Sequence, residues 1–534
     1  MTRIDERVST HVYKVKRISK EEMESIAGVC VYDQSPFCNA ACPLKLDVKA
    51  MLKAAAENDF KKAFKIYESI APFPLILSAG CGAPCEEKCR LCELGDGIAI
   101  GDIERAVALS GGAGEKRSIF RVRKKKKAAV FGSGLFALLL AGELEKKGYP
   151  VTAICGEADE EEYLRVAAGF LREDDFYTEL KRLRGKDIAF EFNAEMTREL
   201  FEEKRGGFDV LCASEKAALD IFPGAVRDEG IMLMESEGLL TGGGETVLEA
   251  ALGARKAALT ADRLAQGIDP RSARGEEGPV TSRLYTNPDL ARGLIRIKGC
   301  ESGYTREQAA EEAGRCMQCH CDECLRGCAY LRRFNKHPGL LSREIYNNTQ
   351  IIMGDHPLNR AMNACALCGQ CTVTCPHGFD MAHVCRTARE NMVDTDKMPL
   401  AAHEFALLDM LFSNGEAYLC RKQPGHSHCR YVFFPGCQAA AIAPEAVIAA
   451  YEDLCTRLKG GVALMLGCCG AIAHWAGRGE MYGEVRDKIA AELAALEDPV
   501  IIAGCPSCMK LLSEQDMAET VGIWTVLRDR GLPD

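Results

Sequence analysis

The sequence has no long hydrophobic run. No segment offers the ~18 uninterrupted apolar residues of a membrane span. The longest apolar stretch, residues 128–141, is broken by a Gly-x-Gly turn and reads as a strand entering a helix. The chain begins MTRIDERVSTHVYKVKR, without the apolar h-region of a secretory leader. It also lacks a basic surplus: the formal net charge is −10, which argues against a nucleic-acid surface. The one basic run, residues 121–127, reads as a solvated linker before a strand. No short-period repeat of the solenoid kind is present. With 47% hydrophobic and 27% charged residues the composition is ordinary for a globular protein. Disorder therefore does not account for what is abundant, which is cysteine: 28 residues.

Disulfides are the competing use of cysteine, and they belong to small secreted domains behind a signal peptide. The expected setting here is a reducing cytoplasm, in an organism that avoids oxygen. The tightest runs are Cys365-x2-Cys368-x2-Cys371-x3-Cys375-Pro376 and Cys437…Cys468-Cys469-Gly470…Cys505-x2-Cys508. Thiolates at these spacings converge on iron rather than on one another. At 534 residues the chain is too long for one core. The expectation is a multidomain α/β and α protein in four parts: a helical iron–sulfur domain over 1–115, a truncated Rossmann-like flavin-type domain over 128–268, a helical two-cluster ferredoxin domain over 300–400 and an α/β domain over 430–534. Residues 47–69 read as an amphipathic helical stretch, with Val48, Met51, Leu52 and Ala55 at helical spacing. Residues 110–117 read as a linker.

The first cysteine group is Cys30-x7-Cys38-x3-Cys42-Pro43, then Cys81-x3-Cys85-x3-Cys89-x2-Cys92. Residues 35–48 (SPFCNAACPLKLDV) and 80–107 resemble the N-terminal iron–sulfur domain of the glutamate synthase small subunit. Dihydropyrimidine dehydrogenase and the electron-bifurcating transhydrogenase have similar domains. The resemblance implies two 4Fe–4S clusters, one held by Cys30, Cys38 and Cys89 and the other by Cys42, Cys81 and Cys85. Where that family usually has a further cysteine this chain has Asp33; either Asp33 ligates iron, or Cys92 substitutes for it, or that cluster is lost. Glu104 falls where the family carries an oxygen ligand for the second cluster; a solvated helix carboxylate is the plain alternative.

Residues 130–137 (VFGSGLFA) follow an apolar strand with a Gly-x-Gly turn, Gly132 and Gly134, which lets a phosphate approach a helix N-terminus. The segment sits where the same family has its FAD domain, and residues 241–258, with Gly243 and Gly244, resemble that domain's closing helix. FAD is the cofactor implied, set against a vestigial scaffold. Cys155 replaces the acidic residue expected at the end of the second strand, with Glu157 two residues later. Too little chain lies between Cys155 and Thr241 for an inserted NADPH-binding domain, so direct NADPH oxidation is not expected.

The third group is Cys316-x2-Cys319-x-Cys321-x2-Cys324-x3-Cys328, followed by the quartet Cys365, Cys368, Cys371 and Cys375. The quartet has the bacterial ferredoxin spacing, whose fourth cysteine ligates the other cluster of a pair. Cys321, Cys324 and Cys328 share its last spacings, with Gln318 at the first position, so Cys319 or Cys316 must serve. Plant-type 2Fe–2S spacing and a zinc knuckle are the alternatives for this run.

Residues 431–437, 462–470 and 499–508 are three apolar runs ending in cysteine, expected to gather Cys437, Cys468, Cys469, Cys505 and Cys508 at one edge of a parallel sheet. They resemble the cysteine-rich CCG domain of the heterodisulfide reductase catalytic subunit, which implies a fifth, unusual cluster acting on a disulfide. That subunit carries two such copies and this chain one. Cys155, Cys212, Cys300, Cys385, Cys420, Cys429 and Cys455 read mostly as small buried apolar residues; His426 and His428, with Cys420 and Cys429, form a polar loop or a metal site. The reading is an oxidoreductase subunit relaying electrons through about four ordinary clusters to a reactive CCG-bound one. Its partners would be other redox subunits and a small disulfide or thiol-linked substrate. A non-catalytic conduit and a zinc scaffold are the other readings.

Overall fold

The computed structural model describes residues 19–111, 123–272, 274–275, 277–300, 303–515 and 517–531. The opening residues 1–17 and the linker expected at 112–117 lie outside them. The chain divides into two compact units, named by their order along the sequence: an inner one, Val31–Cys321, and an outer one from the flanking segments, Met1–Cys30 with Asp322–Asp534.

The inner unit starts with a helical bundle. The Asp47 and Asp59 carboxylates accept from the backbone N–H groups of Ala50 and Lys62 and start the helices Val48–Ala56 and Phe60–Glu68. The helical stretch expected over 47–69 is made of these two helices. Asn58 turns left-handed at φ 60°, which few residue types tolerate, and Asp59 caps the chain anew. Val48, Met51, Leu52 and Ala55 still form a buried face.

The helices Pro74–Gly80, Ile100–Ser110 and Arg306–Gly314 join this bundle. Arg306–Gly314 opens with a capping box between Thr305 and Gln308. Its Glu312 is wholly buried and accepts from the N–H groups of Ala99 at 3.0 Å and Ile297 at 2.9 Å while pairing with Arg315 at 2.5 Å. The segment expected to open the 300–400 ferredoxin region thus packs with the N-terminal helices, because a buried carboxylate must be satisfied by groups that only those neighbours supply.

The second half of the inner unit is a six-stranded sheet in the order β3-β2-β1-β4-β6-β5, from β1 (Ala128–Phe131), β2 (Val151–Ile154), β3 (Ile188–Glu191), β4 (Val210–Ser214), β5 (Leu233–Met234) and β6 (Leu239–Gly242). It is parallel except for β5 against β6. Everything between Cys155 and Thr241 that forms a strand enters this one sheet.

The outer unit combines short helices with a second sheet. The helices Lys20–Ala27, Pro338–Gln350 and Met381–Asp394 pack around a core that includes Leu341, Ile345, Phe379 and Val384. The sheet has the order β11-β10-β8-β9-β7, from β7 (Leu419–Arg421), β8 (Tyr431–Phe434), β9 (Val462–Leu466), β10 (Val500–Ala503) and β11 (Thr520–Gly522), parallel except for β7 against β9. The two parts are joined by Arg389, 2% exposed, which donates to the carbonyls of Met362, Cys365 and Trp475. Beside it the chain runs so close that a Cβ on Gly477, φ 77°, would lie 2.5 Å from the Glu390 nitrogen. Among the described residues no helix is long and apolar enough to cross a membrane.

Candidate metal centres

Among the described residues no three His, Cys, Asp or Glu side chains close on one point as a single metal ion would require. The thiols stand instead in wider groups. Cys42, Cys81, Cys85 and Glu104 form one. Burial, then Glu104, pushes the Cys81 thiol up to about 12, and the same two causes raise Cys85. Cys42 is raised by burial, and its sulfur accepts from the Leu46 N–H at 3.4 Å. Glu104 is 3% exposed, so the solvated carboxylate is excluded. Burial and, secondarily, Glu86 push its carboxyl up to about 8, offset in part by the Tyr67 hydroxyl beside it.

A second group is assembled differently from the expectation. Cys38, Cys89, Cys316 and Cys319 line one small cavity with Phe37, Leu52, Ile98 and Ile100. Burial raises the Cys38 thiol, and the neighbouring Cys316, Cys319 and Cys89 raise it further. Cys30 belongs to the outer unit, where its Cβ faces the backbone of Gly339. Asp33 is exposed. The Cys92 sulfur points to the Glu86 carbonyl, 3.4 Å away. The reason is topological: the helix Arg306–Gly314 delivers Cys316 and Cys319 to the bundle, and spacing along the chain carries no sign of that.

In the outer unit, Cys324 and Cys371 are buried in one core, with Cys30, Cys328, Cys365 and Cys375 packed against it; Cys368 is exposed. Cys321 closes the inner unit. Cys385, read from sequence as an apolar filler, is a polar partner. It is fully buried, hydrogen-bonds to the Cys365 thiol and lies 3.6 Å from the Tyr330 hydroxyl. That bond, ahead of the opposing effect of burial, brings Cys365 down to about 7. Its only sequence signal was a cysteine one helical turn into the segment after Cys375-Pro376.

The last group sits at the C-terminal ends of three adjacent parallel strands. Cys437 follows β8, Cys468 and Cys469 follow β9, and Cys505 and Cys508 follow β10. The thiols form a hydrogen-bonded series, Cys437 to Cys468, Cys468 to Cys469 and Cys469 to Cys508. Cys505 and Cys508 approach Gly436, φ 86°, where the absence of a side chain leaves room for them. Asn414 accepts from the Cys468 N–H at 2.8 Å. A cleft of about 220 Å³ adjoins this site, lined by Ser507, Lys510, His474 and Trp475 on one side and by Leu367, Asp380, His383 and Arg386 on the other. The Arg386 guanidinium lies 3.4 Å from His474 Nε2. Burial and then Arg386 hold His474 below the usual histidine range. His428 pairs with Glu497 at 3.0 Å, which favours the polar-loop reading of that segment.

These donor sets suit iron. Buried thiols gathered with few cations cannot ionise among themselves; a bound metal supplies the positive charge and releases the protons. The flavin-type site fits in its first half only. Gly134, φ 98°, opens to free space at a helix N-terminus, as a phosphate needs. At the other half Cys155 is fully buried, and Gly243 and Gly244 border a cleft whose charged wall is mostly acidic: Glu215, Glu229, Glu245 and Glu249 against Arg227 and Lys256. Such a wall repels a pyrophosphate.

Two known families match parts of the chain. One, described as dihydropyrimidine dehydrogenase domain II, 4Fe–4S cluster, matches residues 7–112, and a 4Fe–4S dicluster domain matches residues 315–380. The NADPH-Fe(3+) oxidoreductase subunit beta of Geobacter sulfurreducens is 28% identical over 230 residues, 40% of this chain and 33% of its own. The NADP(+)-dependent formate dehydrogenase subunit beta of Moorella thermoacetica is 28% identical over 159 residues, 25% of this chain and 21% of its own. The NADPH glutamate synthase small chain of Azospirillum brasilense is 29% identical over 146 residues, 25% of this chain and 29% of its own. The chain therefore spans about a third or less of the length of these relatives. It is an iron–sulfur protein with several 4Fe–4S clusters and a distant similarity to the glutamate synthase small chain.

Proposed function

We propose that the chain is an electron-transferring oxidoreductase subunit whose reactive end is the Cys437–Cys508 site, acting on a small disulfide or thiol-linked molecule. The observation that carries this reading is the cleft: it reaches Ser507, between Cys505 and Cys508, and it is shared with residues flanking the Cys365–Cys375 quartet. Reduction of a disulfide takes two electrons and two protons, breaks the S–S bond and leaves two thiols. The electrons come from a partner redox protein of low potential. Bound iron supplies one-electron exchange and affinity for sulfur.

The chain's own residues bind and orient. Arg386 and Lys510, facing the carboxylates of Glu390 and Glu514, are the cationic donors available to a ligand in the cleft. His474, neutral at pH 7, accepts from Arg386 at Nε2 and so carries its proton on Nδ1. Trp475 and Leu511 give the cleft an apolar wall, and its volume suits a small metabolite rather than a protein segment.

Replacing Cys468 by alanine should abolish turnover with disulfide substrates and change the spectrum of the site, with the EPR of the ferredoxin-type clusters unchanged. Retained turnover moves catalysis elsewhere. A second reading, a conduit in a larger complex, is favoured by the relatives being named as subunits. It predicts that the isolated protein is reduced by dithionite yet never turns over any disulfide.

A further inference from the structure

We propose that Cys316 and Cys319 join Cys38 and Cys89 as the four ligands of one 4Fe–4S cluster, replacing Cys30 and Asp33 in that role. The four side chains come from three segments distant in sequence and line the same small cavity, whose remaining wall is apolar apart from Arg90. Two of them lie in the N-terminal region matched by the dihydropyrimidine dehydrogenase-type family, and two come from beyond the Rossmann-like sheet. The dicluster match begins at residue 315, so sequence alone assigns the pair to the ferredoxin region; packing gives it to the inner unit.

Loop geometry supports the exchange independently of the cavity. In the quartet, the loop Cys365–Cys368 turns left-handed at its third residue, Leu367, φ 53°, and the Leu367 N–H points at the Cys365 sulfur, 3.5 Å away. The loop Cys316–Cys319 does the same. Gln318 has φ 50°, and its backbone N–H bonds the Cys316 sulfur. A left-handed non-glycine residue carries a strain cost that the fold tolerates where it is functional. Here it turns two thiols of a Cys-x2-Cys segment toward the same side. The stretch from Cys30 to Asp33 has no left-handed residue.

The loop is held in place by the bundle. Lys49 Nζ donates to the Cys319 carbonyl at 2.9 Å, and Gln318 Nε2 donates to the Lys49 carbonyl at 3.3 Å and to the Cys316 sulfur at 3.4 Å. A donor aimed at the Cys316 sulfur and a Lys ammonium on the backbone carbonyl of the ligand Cys319 are what a cluster of net negative charge requires.

Two experiments on the full chain, purified without oxygen, test the assignment. In the first, Cys316→Ser, Cys319→Ser and Cys38→Ser are compared with Cys30→Ser and Asp33→Asn by EPR of the dithionite-reduced protein and by iron content. The first three should each lose or shift the same signal, with a loss of up to about four iron per chain; the last two should leave that signal in place. Loss of it in Cys30→Ser with retention in Cys316→Ser overturns the proposal. In the second, the unmutated protein is alkylated before and after iron chelation and mapped by mass spectrometry, so that no variant need fold. Cys38, Cys89, Cys316 and Cys319 should become reactive together on chelation, while exposed Cys92 reacts throughout. Labelling of Cys316 and Cys319 in the iron-loaded protein overturns the assignment.

Discussion

Each unit rests a cysteine loop on one buried ion, and the two ions have opposite signs. In the inner unit Glu312 gathers backbone N–H groups from Ala99 and Ile297 and is neutralised by Arg315. In the outer unit Arg389 gathers the carbonyls of Met362, Cys365 and Trp475. The carboxylate has a countercharge, so its pair can be closed over completely. The guanidinium is surrounded by carbonyl oxygens and by the sulfurs of Cys365 and Cys385, which its charge favours in their ionised form. A buried ion pair fixes geometry, whereas a buried cation among sulfurs also acts on their charge. The surroundings follow the same division: the inner thiols face Phe37, Leu52, Ile98 and Ile100, and the outer ones border a polar cleft.

Removing either ion should therefore destabilise one unit and spare the other. Both tryptophans of the chain, Trp475 and Trp524, lie in the outer unit, so their fluorescence reports that unit alone, while far-UV circular dichroism follows both. Glu312→Gln leaves Arg315 without its countercharge in a buried site, at a cost of about 3 kcal/mol. This is the low end for breaking a buried pair, because Arg315 keeps the carbonyls of Gly293 and Asp96. The dichroism should show an early transition in denaturant with the fluorescence midpoint unmoved. Coincident shifts would mean that the units unfold as one.

Arg389→Lys keeps the charge but loses the planar fork, and its three donors cannot replace the four bonds that Arg389 makes to three carbonyls. The expected cost is about 2 kcal/mol, read this time as a fall in the fluorescence midpoint. An unchanged midpoint would show that the carbonyls find other partners.

A smaller effect tracks pH. His474 titrates below its ordinary value because burial and Arg386 disfavour the charged form. The unfolded chain then binds more protons as pH falls through about 6.5, so stability is present above that pH and lost below it. His474→Gln should flatten the acid limb of melting temperature against pH while leaving pH 8 unchanged; an unaltered limb assigns the acid sensitivity to another group. The smallest effect is none. Stopped-flow mixing with NADPH should leave the visible absorbance oxidised, since β3, β4 and β5 all enter the sheet of β1 and no second nucleotide fold is formed there. Rapid bleaching would contradict this.

The sequence made local chemistry legible and left long-range pairing hidden. The Cys-Pro and Cys-Cys-Gly runs mark loops after helices and strands, and three apolar runs ending in cysteine do end at neighbouring strand ends. Glu104 was a candidate by its place in a motif; its burial, which excludes a solvated carboxylate, is visible only in three dimensions. A Cys-x2-Cys segment announces a ligand loop but not the cavity it serves, so the Cys316–Cys319 pair read as part of the run that follows it. Cys385 had no spacing to distinguish it, and its bond to Cys365 depends on how two helices cross. The break at Asn58 carries little sequence signal, because helical periodicity continues through it and only the cap at Asp59 marks a new start.

The convergence of Cys38 and Cys89 with Cys316 and Cys319 makes the intervening chain a closed loop, with the entire Rossmann-like sheet inside it. The entropy of closing a flexible loop rises only with the logarithm of its length, about 0.6 kcal/mol for each doubling. A tie at the base of such a loop is therefore almost indifferent to how much protein it encloses. A nucleotide-type domain held this way can shrink, or lose one binding half, without loosening the thiol group at its neck.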